Sequence, residues 1–118
     1  MGQFGKEAMG LSEVPLFASE SVLRFLDSKG ESTPFRAKEA RAWEPFAPSE
    51  NCGFEYTMIP VPHRDEFSDT HAVLVEGPNS RLLFLPDHDD WNQTLESSGS
   101  RGIRESLSSM EVDFALLD

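Results

Sequence analysis

Three apolar runs between residues 54 and 85 constrain the fold more than any other feature of the sequence. Residues 54–61 begin with alternating aromatic and polar side chains, and residues 70–76 and 81–85 are continuous apolar runs of β type. The four residues 77–80, Gly-Pro-Asn-Ser, form a turn sequence between the last two runs, so they predict a β-hairpin. Strands that run up, down and up put the ends of the first and third strands at the same sheet edge.

Helical patterns and further short strands surround this segment. Residues 14–18 predict a strand, and Ser19 stands at an N-cap position before an amphipathic helix that Gly30 would close. The other expectations are a helix over 3–9, an edge strand over 40–46, a loop over 97–100, a helix over 103–110 and a buried strand over 112–118. Together they predict an α/β (α+β) fold, a mixed sheet with flanking helices.

Composition limits the classes of protein and partner. The 118 residues suffice for one domain, and a net charge of −11 argues against nucleic acid and anionic membranes as partners. A single cysteine, Cys52, excludes an internal disulfide and a cysteine-based zinc finger. No apolar run is long enough to span a membrane, and the first residues lack the apolar core of a secretory signal. The sequence therefore predicts a cytoplasmic protein.

Two acidic loops that contain histidine carry the candidate chemistry. His63 follows the first run of the predicted sheet, and Asp87 follows the third, so both are expected at one sheet edge. Imidazole and carboxylate are ligands for zinc, iron or manganese. The alternative is that these are solvated loops in which Asp and Pro form turns, and from spacing alone this is the more common situation.

Other kinds of site lack their sequence patterns. There is no nucleophile elbow, no phosphate-binding loop and no dinucleotide fingerprint. Asp87 and Asp89 match the start of a calcium loop, but Trp91 and Ser98 stand where later ligands are required.

Several segments, in order along the chain, are similar to one known family. They are GKEAMG at 5–10, VPLFA at 14–18, FAPS at 46–49, VPHRDEFSDT at 61–70 and LFLPDHDDW at 83–91. These segments resemble the metallo-β-lactamase fold, in the branch that includes pyrroloquinoline quinone biosynthesis protein B. The resemblance spans most of residues 5–118.

The resemblance implies a four-layer αββα sandwich, with one or two metal ions at one sheet edge that activate water or dioxygen for a small-molecule substrate. His63 matches an isolated histidine ligand, and Asp87 matches an acidic ligand that often bridges two metals. Residues that would orient these ligands or form the lip of the site are Asp65, Glu66, His88, Asp89 and Asp90. His88 replaces a residue that is often apolar in the family, so it is either a substitute ligand or a lip residue. Asp118 matches a family position at the end of a later strand, where its role is open.

The departures from the family pattern are equally informative. The motif His-x-His-x-Asp-His, which supplies most ligands of the first metal, would precede Gln3, and the last histidine ligand would follow Asp118. We therefore expect residues 1–118 to be a single partial domain, an internal fragment that binds metal weakly or not at all and is inactive alone. The alternatives are a non-catalytic acidic interaction module on the same scaffold, with a homodimer as one option, and an accidental match to an unrelated small protein.

Overall fold

Two β-sheets and three helices organise the chain in a computed structural model that describes residues 14–28, 36–64 and 68–117. The strands are β1 (Pro15–Ala18), β2 (Arg36–Glu39), β3 (Glu55–Pro60), β4 (His71–Glu76), β5 (Arg81–Leu85) and β6 (Phe114–Leu117), and the helices are α1 (Glu20–Ser28), α2 (Trp91–Ser98) and α3 (Ile103–Ser109). The small sheet pairs β1 and β2 in parallel. The large sheet has the order β3-β4-β5-β6, and β6 is parallel to β5. The predicted mixed sheet with flanking helices is confirmed.

The meander β3-β4-β5 forms as the sequence predicts. Both strand pairs are antiparallel, and Val73 stands opposite Met58 on one side and Phe84 on the other. At the turn, the backbone N–H of Gly77 donates to the carbonyl of Ser80 at 2.9 Å. A Cβ atom on Gly77 would meet the Phe54 ring at 3.2 Å, so this close approach favours glycine. The ends of β3 and β5 therefore lie at the same sheet edge.

One face of the large sheet, called the inner face, holds the hydrophobic core. Its buried side chains alternate along the strands, and apolar residues from the α2–α3 region pack against them. The buried set is Ile59, Val61, Ala72, Leu74, Leu83 and Leu85, and the packing set is Trp91, Leu107, Met110 and Val112. Fully burying an aliphatic side chain contributes about 1.5–3 kcal/mol, so this face supplies much of the driving force for folding.

The opposite face, called the outer face, is also apolar but is covered only in part. Strand register aligns two rows of uncharged residues across it: Tyr56, Val75, Leu82 and Phe114, and Met58, Val73, Phe84 and Leu116. Solvent reaches 44% of Phe84, 64% of Phe114 and 56% of Leu116. The predicted burial of the last strand is wrong, because β6 lies at an edge, pairs only with β5 and is exposed at all four residues.

The strand predicted over 40–46 is also wrong. Only isolated bridges form there, from Ala42 to Met58 and from Phe46 to Tyr56. Trp43 adopts a left-handed backbone with φ of 65°, which interrupts an extended run. The parallel partner of β1 is instead β2, in a segment without a periodic signal.

Of the described helices, α1 and α3 were predicted from the sequence and α2 was not. The expected strand–helix pair is confirmed, and the backbone N–H of Val22 donates to the Ser19 hydroxyl at 3.4 Å. The helix over 103–110 is confirmed as α3. Helix α2 was missed, and the predicted loop over 97–100 in fact contains its last turn and its left-handed cap at Gly99. The helix expected over 3–9 and the stop at Gly30 lie outside the described residues. Within the described ranges, no helix is long and apolar enough to cross a bilayer.

Candidate functional site

Two loops meet at the sheet edge where β3 and β5 end. The backbone N–H of Asp89 donates to the carbonyl of Pro62 at 2.9 Å, so the loop after β5 contacts the loop after β3. In addition, Nδ1 of His63 lies 3.0 Å from Oδ1 of Asp89. One backbone contact and one side-chain contact thus join the two segments that carry the predicted ligands.

The contact with Asp89 determines which nitrogen of His63 is available. An ionised carboxylate only accepts hydrogen bonds, so the proton of the imidazole belongs on Nδ1. The neutral ring then has its lone pair on Nε2. Histidine ligands of metals are commonly held by a carboxylate in this way. The geometry therefore suits His63 as an Nε2 ligand that Asp89 orients.

Asp87 lies in the second of these loops, two residues after the last residue of β5. It is exposed, as expected for a carboxylate at the rim of the sheet. Its neighbour Asp89 makes both contacts to the first loop, which holds the stretch 87–89 at this edge.

His88 contacts helix α2, whereas His63 contacts Asp89. Its Nε2 lies 2.8 Å from the hydroxyl of Thr94, and its ring packs 4.4 Å from the Trp91 ring. Both partners belong to α2, so His88 packs against the start of that helix. Its Nε2 is already occupied there.

Asp90 caps α2. Its Oδ1 accepts a hydrogen bond from the backbone N–H of Asn92 at 2.8 Å, and its own backbone is extended, as an N-cap requires. Helix α2 starts immediately afterwards at Trp91, which packs against the core. Asp90 thus couples the loop to the inner face. Asp65, Glu66 and Asp118 lie outside the described residues.

The predicted ligands among the described residues do not make a complete zinc site. Among residues 14–28, 36–64 and 68–117, no group of three or more His, Cys, Asp or Glu side chains is arranged to hold a metal ion. Zinc sites in proteins use three or four protein ligands. His63 and Asp87 alone therefore cannot complete a zinc site.

A second polar cluster, which sequence reasoning missed, surrounds Asp69. Its carboxylate accepts hydrogen bonds from the hydroxyls of Ser19 and Ser21, and its backbone N–H donates to Ser21 Oγ at 3.2 Å. Its Oδ2 lies 3.5 Å from Nε2 of His71. Burial acts to raise the pKa of Asp69, but the two hydroxyls and the nearby imidazole outweigh it and lower the pKa below its usual value.

This cluster joins the start of α1 to the start of β4. Asp69 and Ser19 are 50 residues apart in sequence, and no spacing rule connects them. These hydrogen bonds therefore depend on tertiary contacts between distant segments, which the sequence pattern does not describe.

Comparison with solved structures gives two partial likenesses. Zinc-bound PqqB from Methylobacterium extorquens has a TM-score of 0.54 and 14% identity, over 73% of this chain and 34% of that one. The metallo-β-lactamase fold protein YhfI from Bacillus subtilis has a TM-score of 0.48 and 12% identity, over 79% of this chain and 38% of that one. No family model and no curated protein matches the chain.

The likeness to PqqB concerns the fold. The chain adopts part of the metallo-β-lactamase fold, as the resemblance of its motifs implied. It spans about a third of the length of PqqB.

Proposed function

We propose that this chain is part of a metal-dependent hydrolase or oxidoreductase of the metallo-β-lactamase superfamily, in the quinone-biosynthesis branch. Its contribution to the complete enzyme is the second half of the metal site. His63 and Asp87 are the ligands, and Asp89 orients His63. The observation that carries the proposal is the contact between Nδ1 of His63 and Asp89, which joins the two loops and leaves Nε2 for a metal.

The cofactor of the complete enzyme is zinc, or iron or manganese, as one or two ions. Support for zinc comes from the bound metal in PqqB. Bound metal of this kind supplies Lewis-acid chemistry or activation of water. Two protein ligands are too few to hold it tightly, so the 118 residues bind it weakly or not at all and are inactive alone.

The other features of the proposal follow from charge and fold. The substrate of the complete enzyme is a small molecule, as the resemblance to the family implies, and the net charge of −11 disfavours nucleic acid and anionic lipid headgroups as partners. The protein acts in the cytoplasm, which suits a chain with one free cysteine, Cys52.

Paramagnetic Co²⁺ tests the half-site directly, because it reveals weak binding. Added to ¹⁵N-labelled protein, Co²⁺ is expected to broaden the amide signals of residues 61, 63, 64 and 87–90 before any others. The variants His63→Ala and Asp87→Ala should each abolish this pattern. Asp89→Asn should weaken it, since a lost partner of a ligating histidine typically costs 10–100-fold in metal affinity.

His88→Ala is the matched control, because this neighbouring imidazole is engaged by Thr94. It should leave the broadening unchanged. Broadening that survives in His63→Ala, or that depends on His88, would remove the proposed ligand set. Stoichiometric zinc binding tighter than about micromolar would show instead that the chain completes a site by itself.

A second candidate function is a non-catalytic acidic interaction module on the same scaffold, for example as a homodimer. The exposed, uncharged outer face around Phe114 and Leu116 favours it, because such faces commonly mark protein contacts. This module would show a stable dimer by sedimentation and no localised Co²⁺ effect at His63.

A further inference from the structure

A cleft of about 440 Å³ opens beside the outer face of the large sheet, and neither His63 nor Asp89 is among its described lining residues. Its lining comes from β1, from the segment around Phe46, and from β3 and β4 on the outer face. The lining residues are Phe17, Phe46, Pro48, Tyr56, Met58, His71 and Val73. Sites for small molecules typically have volumes of roughly 300–1,000 Å³ and mostly apolar linings, so the cleft has the size and character of one.

Stacked aromatic rings form one wall of the cleft. Phe17 and Phe46 have ring centroids 4.8 Å apart, and Phe46 and Tyr56 have centroids 5.9 Å apart. Both pairs are close to parallel, with interplanar angles of 19° and 27°. This arrangement holds the wall through contacts among its own residues.

The described lining has two polar side chains, Tyr56 and His71, and of these His71 has a carboxylate partner. Only 8% of its side chain is exposed, and Nε2 lies 3.5 Å from the carboxylate of Asp69. Because the carboxylate favours a proton on Nε2, the neutral ring has its acceptor lone pair on Nδ1. Ser19 and Ser21 hold Asp69, so the imidazole is anchored from outside the cleft.

Among the residues that the structure describes, the lining contains no Asp, Glu, Lys or Arg, and this limits the charge of an occupant. Burying an unpaired ion among apolar side chains is costly. An anion would also approach the Asp69 carboxylate behind His71, which repels it. A neutral ligand with a hydrogen-bond donor for the imidazole avoids both costs.

We propose that this cleft binds a small, neutral, apolar ring compound that carries one hydroxyl or N–H group, with His71 as the hydrogen-bond acceptor. The site uses neither His63 nor Asp87. It therefore adds a binding function to the chain that does not depend on the proposed metal site.

The probe is 2-naphthol, titrated calorimetrically into the 118-residue protein in the presence of a chelator. We expect one site with a Kd of about 100 µM or tighter, from the affinity that a compact ligand of this size commonly reaches. Naphthalene, which lacks the donor, should bind at least about threefold more weakly, as expected for one lost hydrogen bond. The anion 2-naphthoate should bind at least about tenfold more weakly.

Three variants locate the site. Val73→Trp places a large side chain in the cleft and should abolish binding, whereas His71→Phe should remove the preference for 2-naphthol over naphthalene. Phe114→Ser is the control, because Phe114 shares the apolar outer face but does not line the cleft. It should leave the Kd unchanged.

A measurement on the unmodified protein covers the case in which a variant fails to fold. Saturation with 2-naphthol should shift the amide signals of residues 56–58 and 71–73 and leave those of residues 114–117 in place. Binding at several sites, an equal loss in Phe114→Ser, or shifts centred on β6 would overturn the proposal. Because a chelator is present, these results are independent of the Co²⁺ experiment.

Discussion

Across β3, β4 and β5, both faces of the large sheet carry apolar side chains, but the two faces bury them to very different extents. Leu83, on the inner face, is 3% exposed, whereas its neighbour in sequence, Phe84, is 44% exposed on the outer face. The difference lies in what covers each face. Residues of the α2–α3 region pack against the inner face. On the outer face, Phe17 of the small sheet stacks on Phe46, and Phe46 stacks on Tyr56 of β3, so this cover lies on the β3 side of the sheet.

The two faces of the sheet are therefore expected to have different roles, one in stability and the other in binding. Buried, close-packed side chains determine the free energy of unfolding, because their removal leaves cavities. Exposed apolar side chains contribute little to it and are available for contacts with other molecules. The inner face is therefore expected to hold the fold together, and the outer face to present the cleft and the apolar surface beside it.

The largest expected effect comes from truncating adjacent residues on opposite faces. Leu83→Ala should lower the free energy of unfolding by about 3 kcal/mol, since it removes a buried side chain from the core. Phe84→Ala should lower it by about 1 kcal/mol or less, because much of the ring is already in water. Urea denaturation monitored by circular dichroism measures both. Equal losses in the two variants would mean that the outer face is buried in solution.

Sequence reasoning recovered the centre of this sheet because the relevant signals are local. The turn at 77–80 and the runs on either side predicted the β4–β5 hairpin. An up-down-up arrangement of the three runs then placed the loops of His63 and Asp87 at one sheet edge. Prediction from sequence failed where the structure of a segment depends on residues far away along the chain. Burial of β6 requires a cover that no local pattern specifies, and β2 forms because β1 offers it a parallel partner.

The candidate site was predictable to a similar degree. The meander brings the loops of His63 and Asp89 together. The contact between His63 Nδ1 and the Asp89 carboxylate, however, could be found only in the structure. The contact of His88 could have been predicted from the helix that follows it in sequence. Asp90 at the N-cap and Gly99 at the C-cap mark α2, and a helix there brings Thr94 within reach of the imidazole. No sequence pattern predicted the hydrogen bonds from Ser19 and Ser21 to Asp69.

The junction at Asp69 is expected to give the next largest effect, because it fastens α1 and the small sheet over the outer face. Asp69→Ala removes the acceptor of two hydroxyl groups and should cost about 1–2 kcal/mol of stability. Glu96→Gln, an exposed change in α2, is the control and should lie within about 0.5 kcal/mol of the unmodified protein. Urea denaturation at neutral pH makes the comparison. A loss of stability in Asp69→Ala no larger than in the control would show that the junction contributes nothing.

The same variant should change how stability depends on pH. The pKa of Asp69 is lowered in the folded state, so its stabilisation is fully present above the unfolded pKa of about 3.9 and is lost as pH falls through the lower folded pKa. The difference in stability between the unmodified protein and Asp69→Ala should therefore shrink as pH falls from about 5 towards 2. A difference that stays constant over this range would contradict a role for the ionised carboxylate.

The smallest expected effect on stability comes from the outer face at β6. The double variant Phe114→Ser, Leu116→Ser should change the free energy of unfolding by only about 0.5 kcal/mol, because 64% and 56% of these residues are already exposed. It should lower self-association, measured by sedimentation equilibrium, since it removes the apolar centre of that surface. Urea denaturation of the same samples tests both claims together. A loss of more than about 2 kcal/mol, accompanied by dissociation of a dimer, would show that a second copy of the chain covers the outer face and would favour the interaction module over the enzyme half-site.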